Sequence, residues 1–357
     1  MQAAKLSSTH VAPATNKMRG SYGRDQSFDV AKGFGIVLVV LGHCLDGLVA
    51  ANYFPPTVLW PALAIYTIYS FHMPLFFVVS GFFASGKHRP AGTTIARMLP
   101  TIVWPYVLWS TVQWVTMWYL SRYTTSKITL LQLLRIPWIP IVPYWFLYAL
   151  FVCHVLYLAT RRLSYPVQVL LAAVLFVTPI IFMPFIVRYQ LEIVLQTVRG
   201  FLFFTLGVVS VPQVKQLGRW AAVVATVLFV ALAVAFLQAQ FSERFGLIGV
   251  LPAATAGIVG TLAWSRLVAQ SRALQPVSSV LAFFGRYSMS IYVMHIFFTA
   301  GTRIALKRLG AHPTALITFV EIAAAMVAGT LLPLGINWLV SKFELDGWFG
   351  LQHMEAR

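Results

Sequence analysis

Apolar residues in this chain come in blocks of about 20, separated by Gly, Pro and basic residues, and that block length constrains the fold more than any other feature. A helix of about 20 residues spans the ~30 Å hydrocarbon layer of a bilayer and satisfies its own backbone hydrogen bonds there. Composition agrees: 59% of the 357 residues are hydrophobic and 10% are charged, against roughly 25% charged in an ordinary soluble domain. The expectation is an all-α integral membrane protein, a bundle of about ten transmembrane helices. We place the spans near 30–51, 62–84, 98–120, 144–160, 166–187, 194–212, 219–240, 245–264, 286–302 and 313–341. The segment 144–160 is short for a crossing.

With both termini in the cytoplasm, most of the 26 Lys and Arg residues fall on the inner side, as the positive-inside rule favours. Arg135, Arg188 and Arg199 are then assigned to outer loops. Residues 1–27 lack an apolar signal-peptide core and read as a cytoplasmic tail, as do residues 342–357. The net charge of +17 is scattered among loops without a basic run or a nucleic-acid module, so membrane topology and anionic lipid headgroups explain it and no nucleic-acid partner is expected. Cys44 and Cys153 fall within spans at no metal-ligand spacing and read as packing residues. No HxxxH or HExxH pattern occurs, so no metal site is expected.

Ionisable residues inside spans are functional suspects, because a charge at bilayer depth costs at least ~2.5 kcal/mol and persists where protein or a wet cavity shelters it. His43 and Asp46, three apart, share one helix face, so the carboxylate can orient the imidazole. At 1.5 Å rise per residue, His43, His72, His295 and Glu321 come out between ~12 and ~20 Å from the inner surface, one central layer built from four helices. Gly33, Gly35 and Gly42 are expected to let the first helix approach its neighbours closely.

Five strings, "FDVAKGFGIVLVVLGH" (28–43), "SFHMPLFFVVSGFFA" (70–84), "ARMLPTIVWPYVLWS" (96–110), "PYWFLYALF" (143–151) and "FGRYSMSIYVMHIFF" (284–298), resemble the acyltransferase 3 family of membrane O-acyltransferases, nearest to its fucose 4-O-acetylase-like and exopolysaccharide acetyltransferase branch. The resemblance runs in family order over nearly the whole chain and makes residues 28–341 the acyltransferase-like domain. It implies transfer of an acyl group, usually acetyl, from cytoplasmic acyl-CoA to a sugar hydroxyl at or beyond the outer face. No permanently bound cofactor is implied; acetyl-CoA is a substrate. The family's span-one histidine falls on His43, with its acid and lysine on Asp29 and Lys32. The histidine of its second motif falls on His72, its basic residue on Arg97, its tryptophan on Trp145, and its late motif on Ser290, Tyr292 and His295.

The chemistry of the residues is compatible with that reading. Acyl transfer to an alcohol needs a base for the hydroxyl proton and donors for the charge that develops on the thioester oxygen. We take His43, Asp46 and His72 as the catalytic group; a covalent acetyl-histidine relay stays open. Donor phosphates call for cations at the inner mouth, among Lys87, Arg89, Arg97, Arg161, Arg162 and Arg286. Asp29, Lys32, Arg97 and Arg286 are assigned to donor binding, with Asp29 pairing to Lys32. Tyr144, Trp145, Tyr292, His295 and Glu321 are assigned to the acceptor, with Tyr144 and Trp145 as a stacking platform for a sugar ring.

Expected partners are acyl-CoA, a glycan or lipid-linked oligosaccharide acceptor, membrane lipids and polysaccharide-assembly proteins, in the bacterial inner membrane. The competing class is a proton-coupled secondary transporter with His43, Asp46, His72 and Glu321 as its midplane site. A third is a lipid-binding scaffold in a polysaccharide-assembly complex.

Overall fold

A computed structural model describes residues 25–55, 57–85, 89–121, 129–238, 243–310 and 314–354. Lys87 and most of the N-terminal tail lie outside them. The helices in chain order are α1 (Gln26–Ala50), α2 (Trp60–Ala84), α3 (Ala91–Met98), α4 (Trp104–Leu120), α5 (Leu130–Leu134), α6 (Trp145–Thr160), α7 (Tyr165–Ile181), α8 (Met183–Arg188) and α9 (Glu192–Val209). They continue with α10 (Val211–Val214), α11 (Arg219–Gln238), α12 (Glu243–Gln270), α13 (Gln275–Arg286), α14 (Ser288–Arg308), α15 (Ala315–Lys342) and α16 (Asp346–Phe349). No strand occurs among the described residues. A π-helical turn, Leu99–Val103, joins α3 to α4.

Five of these helices, α1, α2, α9, α14 and α15, are long and apolar enough to cross a membrane, and α6, α7 and α11 carry shorter apolar stretches. The protein is therefore an all-helical, multi-pass membrane protein. Each expected span falls on one or more of these helices, and five of the helices have the length and hydropathy of a full crossing. Residues 275–285 fall between the expected spans 245–264 and 286–302, where Pro and Ser break up the hydropathy. They form α13, which packs along the first half of α1.

Glycine makes that contact. A Cβ on Gly33 would collide with the Leu281 carbonyl, and one on Gly285 with the Asp29 carbonyl, so the two backbones touch as in small-residue membrane interfaces. Gly81 and Gly207 do the same for α2 and α9: a Cβ on either would strike the backbone of the other helix, at Phe204 and Val78.

The packing fixes the order of the elements. Phe28 meets Phe82 and Phe83 (ring centroids 4.2 and 5.2 Å), so α1 and α2 run antiparallel. Gly285 lies at Asp29 and Arg303 lies at Gly47, so α14 runs parallel to α1, and α15 returns beside it. The start of α1 and the end of α15 consequently share one end of the bundle, here called the Asp29 end; the other is the Tyr53 end.

The shortness of α6 also has a cause. The described chain before α6, residues 129–144, is mostly exposed but is anchored to the bundle at Ile136, Pro143 and Tyr144. Three tyrosines hold it there: Tyr106 donates to the Ile136 carbonyl, Tyr292 to the Pro143 carbonyl at 2.5 Å, and Tyr144 to the Val293 carbonyl at 2.8 Å. Irregular backbone persists at such depth only where protein buries it or it lines a cavity, so α6 starts inside the molecule.

The last described residues are docked as well. Trp104 and Trp109 of α4 donate to the carbonyls of Trp348 and Phe349 (2.8 and 3.0 Å). Asp346 accepts from Ser341 and contacts His353 Nδ1 at 2.8 Å. Burial raises the Asp346 carboxyl pKa, but these two partners outweigh it and leave the group below its ordinary range.

Candidate active site

A cavity of about 340 Å³ opens between α1, α2, α9, α14 and the chain before α6. Its walls include His43 and Asp46 from α1, Tyr69, Ser70, His72 and Pro74 from α2, Val142, Pro143 and Trp145, Gln196 and Arg199 from α9, and Tyr292 from α14. Asp46 is solvent-exposed, His43 is half-buried and His72 is buried, so the cavity runs inward from the Tyr53 end. Pro74 has no N–H to offer the Ser70 carbonyl one turn back.

The histidines are set by their own helices. His72 Nδ1 lies 2.7 Å from the Ile68 carbonyl, and His295 Nδ1 lies 2.7 Å from the Tyr292 carbonyl. A carbonyl oxygen only accepts, so in the neutral ring the proton sits on Nδ1 and the Nε2 lone pair is left over. In His295, which is fully buried, Nε2 has no partner. The His43 ring lies between His295 (5.2 Å between centroids) and Tyr69 (6.0 Å), and Tyr69 lies 5.2 Å from His72. Three histidines from three helices thus form one group, with Tyr69 bridging two of them.

Asp46 is placed differently from the sequence expectation. It shares the cavity with His43, but no hydrogen bond or ion pair joins the two among the described residues. The nearest ring to His43 is His295, arriving from α14. A spacing of three sets two side chains on one helix face; it does not make them touch when one is turned toward solvent.

Glu321 leaves the layer altogether. It is 1% exposed and its carboxylate interacts with the Tyr53 hydroxyl and, through charge, with Arg303. Its surroundings are Tyr53, whose phenol pKa burial and this carboxylate push above the ordinary value, and Arg303, whose guanidinium covers Gly47. Cys44 packs with Leu48, Tyr53, Ala325 and Ile322 on the same side. Depth arithmetic fixes height, whereas successive residues of a helix point about 100° apart. His43 therefore faces the cavity, and Cys44 faces α15.

Tyr144 does not line the cavity. It is completely buried, with its hydroxyl bound to the Val293 carbonyl and its ring edge toward Tyr292 (6.4 Å), so its face is closed to a sugar and it serves as a strut. Trp145 does reach the cavity wall, as does the edge of Tyr292. Arg199, assigned above to an outer loop, lies inside α9 and lines the cavity with Gln196. The signal was present in the sequence: Arg199 falls within the expected span 194–212 and deserved the same suspicion as the histidines.

At the Asp29 end, Lys32 Nζ pairs with the buried Asp29 carboxylate at 2.7 Å. Arg286 follows Gly285, which rests on the Asp29 backbone, and its Nε is buried without a partner. Asp29 and Lys32 on α1 and Arg286 at the end of α13 thus lie at the same end of the bundle. Arg97 is exposed on α3, and no hydrogen bond links it to them among the described residues. Arg161 is committed to the Arg89 carbonyl at 2.8 Å.

Comparison with known proteins bears on this arrangement. Over 67 residues, 19% of its length, the chain is 45% identical to the nodulation protein NolL of Mesorhizobium japonicum and likewise to that of Sinorhizobium fredii. The match spans only 17% and 18% of those relatives. No solved structure matches the chain. The acyltransferase domain that defines the acyltransferase 3 family matches residues 25–338, a stretch that begins at the cap of α1, ends within α15 and encloses the histidine cavity. With that match covering most of its length, this chain belongs to the acyltransferase 3 family.

Proposed function

We propose that this protein is a membrane O-acyltransferase that moves an acyl group, acetyl by preference, from acyl-CoA at the Asp29 end to a hydroxyl of a cell-envelope or exopolysaccharide glycan, or of its lipid-linked precursor, held in the cavity. On this reading the Asp29 end is cytoplasmic and the protein sits in a bacterial inner membrane. The observation that carries it is the pair His43 and His72 on the wall of a cavity that is open at the opposite end, with the buried His295 packed against His43. His43 takes the acceptor hydroxyl proton as its oxygen attacks the thioester carbon. The C–S bond breaks and the proton passes to the departing thiolate, so atoms and charge balance. His295 holds His43 in place and offers its Nε2 lone pair behind it, and His72 with Tyr69 forms the second wall.

Arg286, with an unpartnered guanidinium N–H, and Lys32 are suited to donor phosphates. Trp145 offers the sugar an apolar face. The transporter reading gains nothing from this geometry, because Glu321 is walled off from the cavity its relay would have to use.

The test is coenzyme A itself. A ligand that binds only the folded protein raises apparent stability, by about 2.7 kcal/mol at a hundredfold excess over Kd. Purified protein should therefore melt higher as CoA is added, and membranes containing it should move label from [14C]acetyl-CoA into glycan. A melting curve indifferent to CoA, together with no glycan label, would sink the reading.

A further inference from the structure

We propose that Arg199 and Gln196 form an anion subsite in the cavity, and that the acceptor carries a carboxylate or phosphate on the sugar that is acylated or on its neighbour. The inference rests on the acyltransferase reading of the same cavity and goes further, to the charge of the substrate.

Arg199 is the eighth residue of α9, roughly 10 Å along the helix from its first residue, and it is half-buried. Among the described residues no carboxylate lies within ion-pair distance of it. Gln196 precedes it by three and shares its face, and both line the cavity with His43 and His72. The next residue, Gly200, is locked: a Cβ there would come within 2.5 Å of the Phe77 ring. This section of α9 is therefore seated on α2, with the stem of Arg199 emerging at the cavity wall.

A guanidinium inside a membrane protein faces a wet cavity or an opposing charge. The other charged side chain on these walls is Asp46, and it makes no ion pair with Arg199. The histidines contribute lone pairs. The missing charge could arrive in three ways, and two fail. The oxyanion of the transition state is transient and gives no standing counter-charge. The phosphates of CoA are separated from its thioester by the whole pantetheine arm. When the thioester carbon is at His43, they lie away from this cavity, on the side of Lys32 and Arg286. The acceptor is the species that brings a standing anion beside the reacting hydroxyl. Arginine suits it, because its planar fork takes a carboxylate or phosphate through two parallel hydrogen bonds, and Gln196 can hold an adjacent sugar hydroxyl.

Calorimetric titration of the purified full-length protein tests this with three probes: methyl glucuronide, glucose 1-phosphate and the neutral methyl glucoside. At least one anionic probe should bind about tenfold or more tightly than the glucoside, the range of a charge-assisted hydrogen bond. The better of the two identifies the anion. Arg199→Gln should erase the preference while CoA and glucoside affinities hold, and Arg199→Lys should restore part of it. If the glutamine variant does not purify as a monodisperse species, salt is the second readout: the wild-type preference should shrink as ionic strength rises. The inference falls if neither anion is preferred, if no probe binds, or if the preference survives Arg199→Gln or high salt. CoA binding by the wild type is scored separately. Its absence alongside an intact anion preference would overturn the transferase and leave the anion site standing.

Discussion

His43 and Cys44 are adjacent in sequence, yet they belong to two regions with opposite properties. On the His43 side, α1 looks into a cavity bounded by a proline-containing helix, the chain before α6 and His72, with His295 buried behind. On the Cys44 side it meets a packed cluster of Glu321, Arg303, Tyr53 and Gly47, where a buried acid lies beside a half-buried base. Both regions hold ionisable groups at membrane depth, so polarity alone does not mark the reactive one. Open space does. A group that must meet substrate needs an unclaimed lone pair next to a void, whereas buried groups that only stabilise packing need each other.

The comparison can be broken most decisively at the two adjacent residues. His43→Ala should lower acyl transfer by at least about 100-fold, the low end for loss of a general base, with normal insertion and expression. Cys44→Ala should leave transfer per folded molecule nearly unchanged. Comparable losses from both, measured with labelled acyl-CoA in membranes, would erase the distinction between the two faces.

A smaller effect tests the closed region by itself. Arg303→Gln leaves the Glu321 carboxylate buried without its cation, a defect worth about 1–3 kcal/mol, so the melting temperature should drop. Adding Glu321→Gln should recover much of the loss, because the double substitution removes both charges; the cycle isolates their coupling. Transfer should follow the amount of folded protein. A Glu321→Gln variant that folds normally and transfers nothing would move this carboxylate into the chemistry.

The smallest expected effect sharpens the cavity side. Asp46 shares the cavity with His43 but does not hold its ring, so Asp46→Asn should cost less than about tenfold in kcat/KM, about 1.4 kcal/mol of transition-state stabilisation. His295→Ala, which removes the ring nearest to His43, should cost more. The reverse ranking would return the orienting role to the carboxylate.

Much of this protein follows from its sequence, for reasons that are local. Block length and lipid chemistry dictate helices, so α1, α2, α9, α14 and α15 lie close to where their apolar runs put them. The glycines of α1 announce close packing because no other residue permits backbone contact. His43, His72 and His295 draw attention because ionisable groups rarely persist at such depth without a purpose, and rise per residue gives their common height. Arg199 was legible by the same rule.

Azimuth, partners and space came from the tertiary structure. Height along a helix is a one-dimensional quantity that the chain carries in its numbering, but whether a side chain meets a void, a neighbour or lipid depends on how helices far apart in sequence are rotated against one another. That rotation sends Glu321 to Arg303 instead of to the histidines. It buries Tyr144 as a strut while Trp145 stays on the cavity wall, and it gives His43 a partner 252 positions away instead of three. The segments 129–143 and 275–285 fall between the expected spans, because hydropathy measures transfer to lipid and is blind to contact with protein. Three tyrosine hydrogen bonds anchor the first to the bundle and a pair of glycines seats the second on α1.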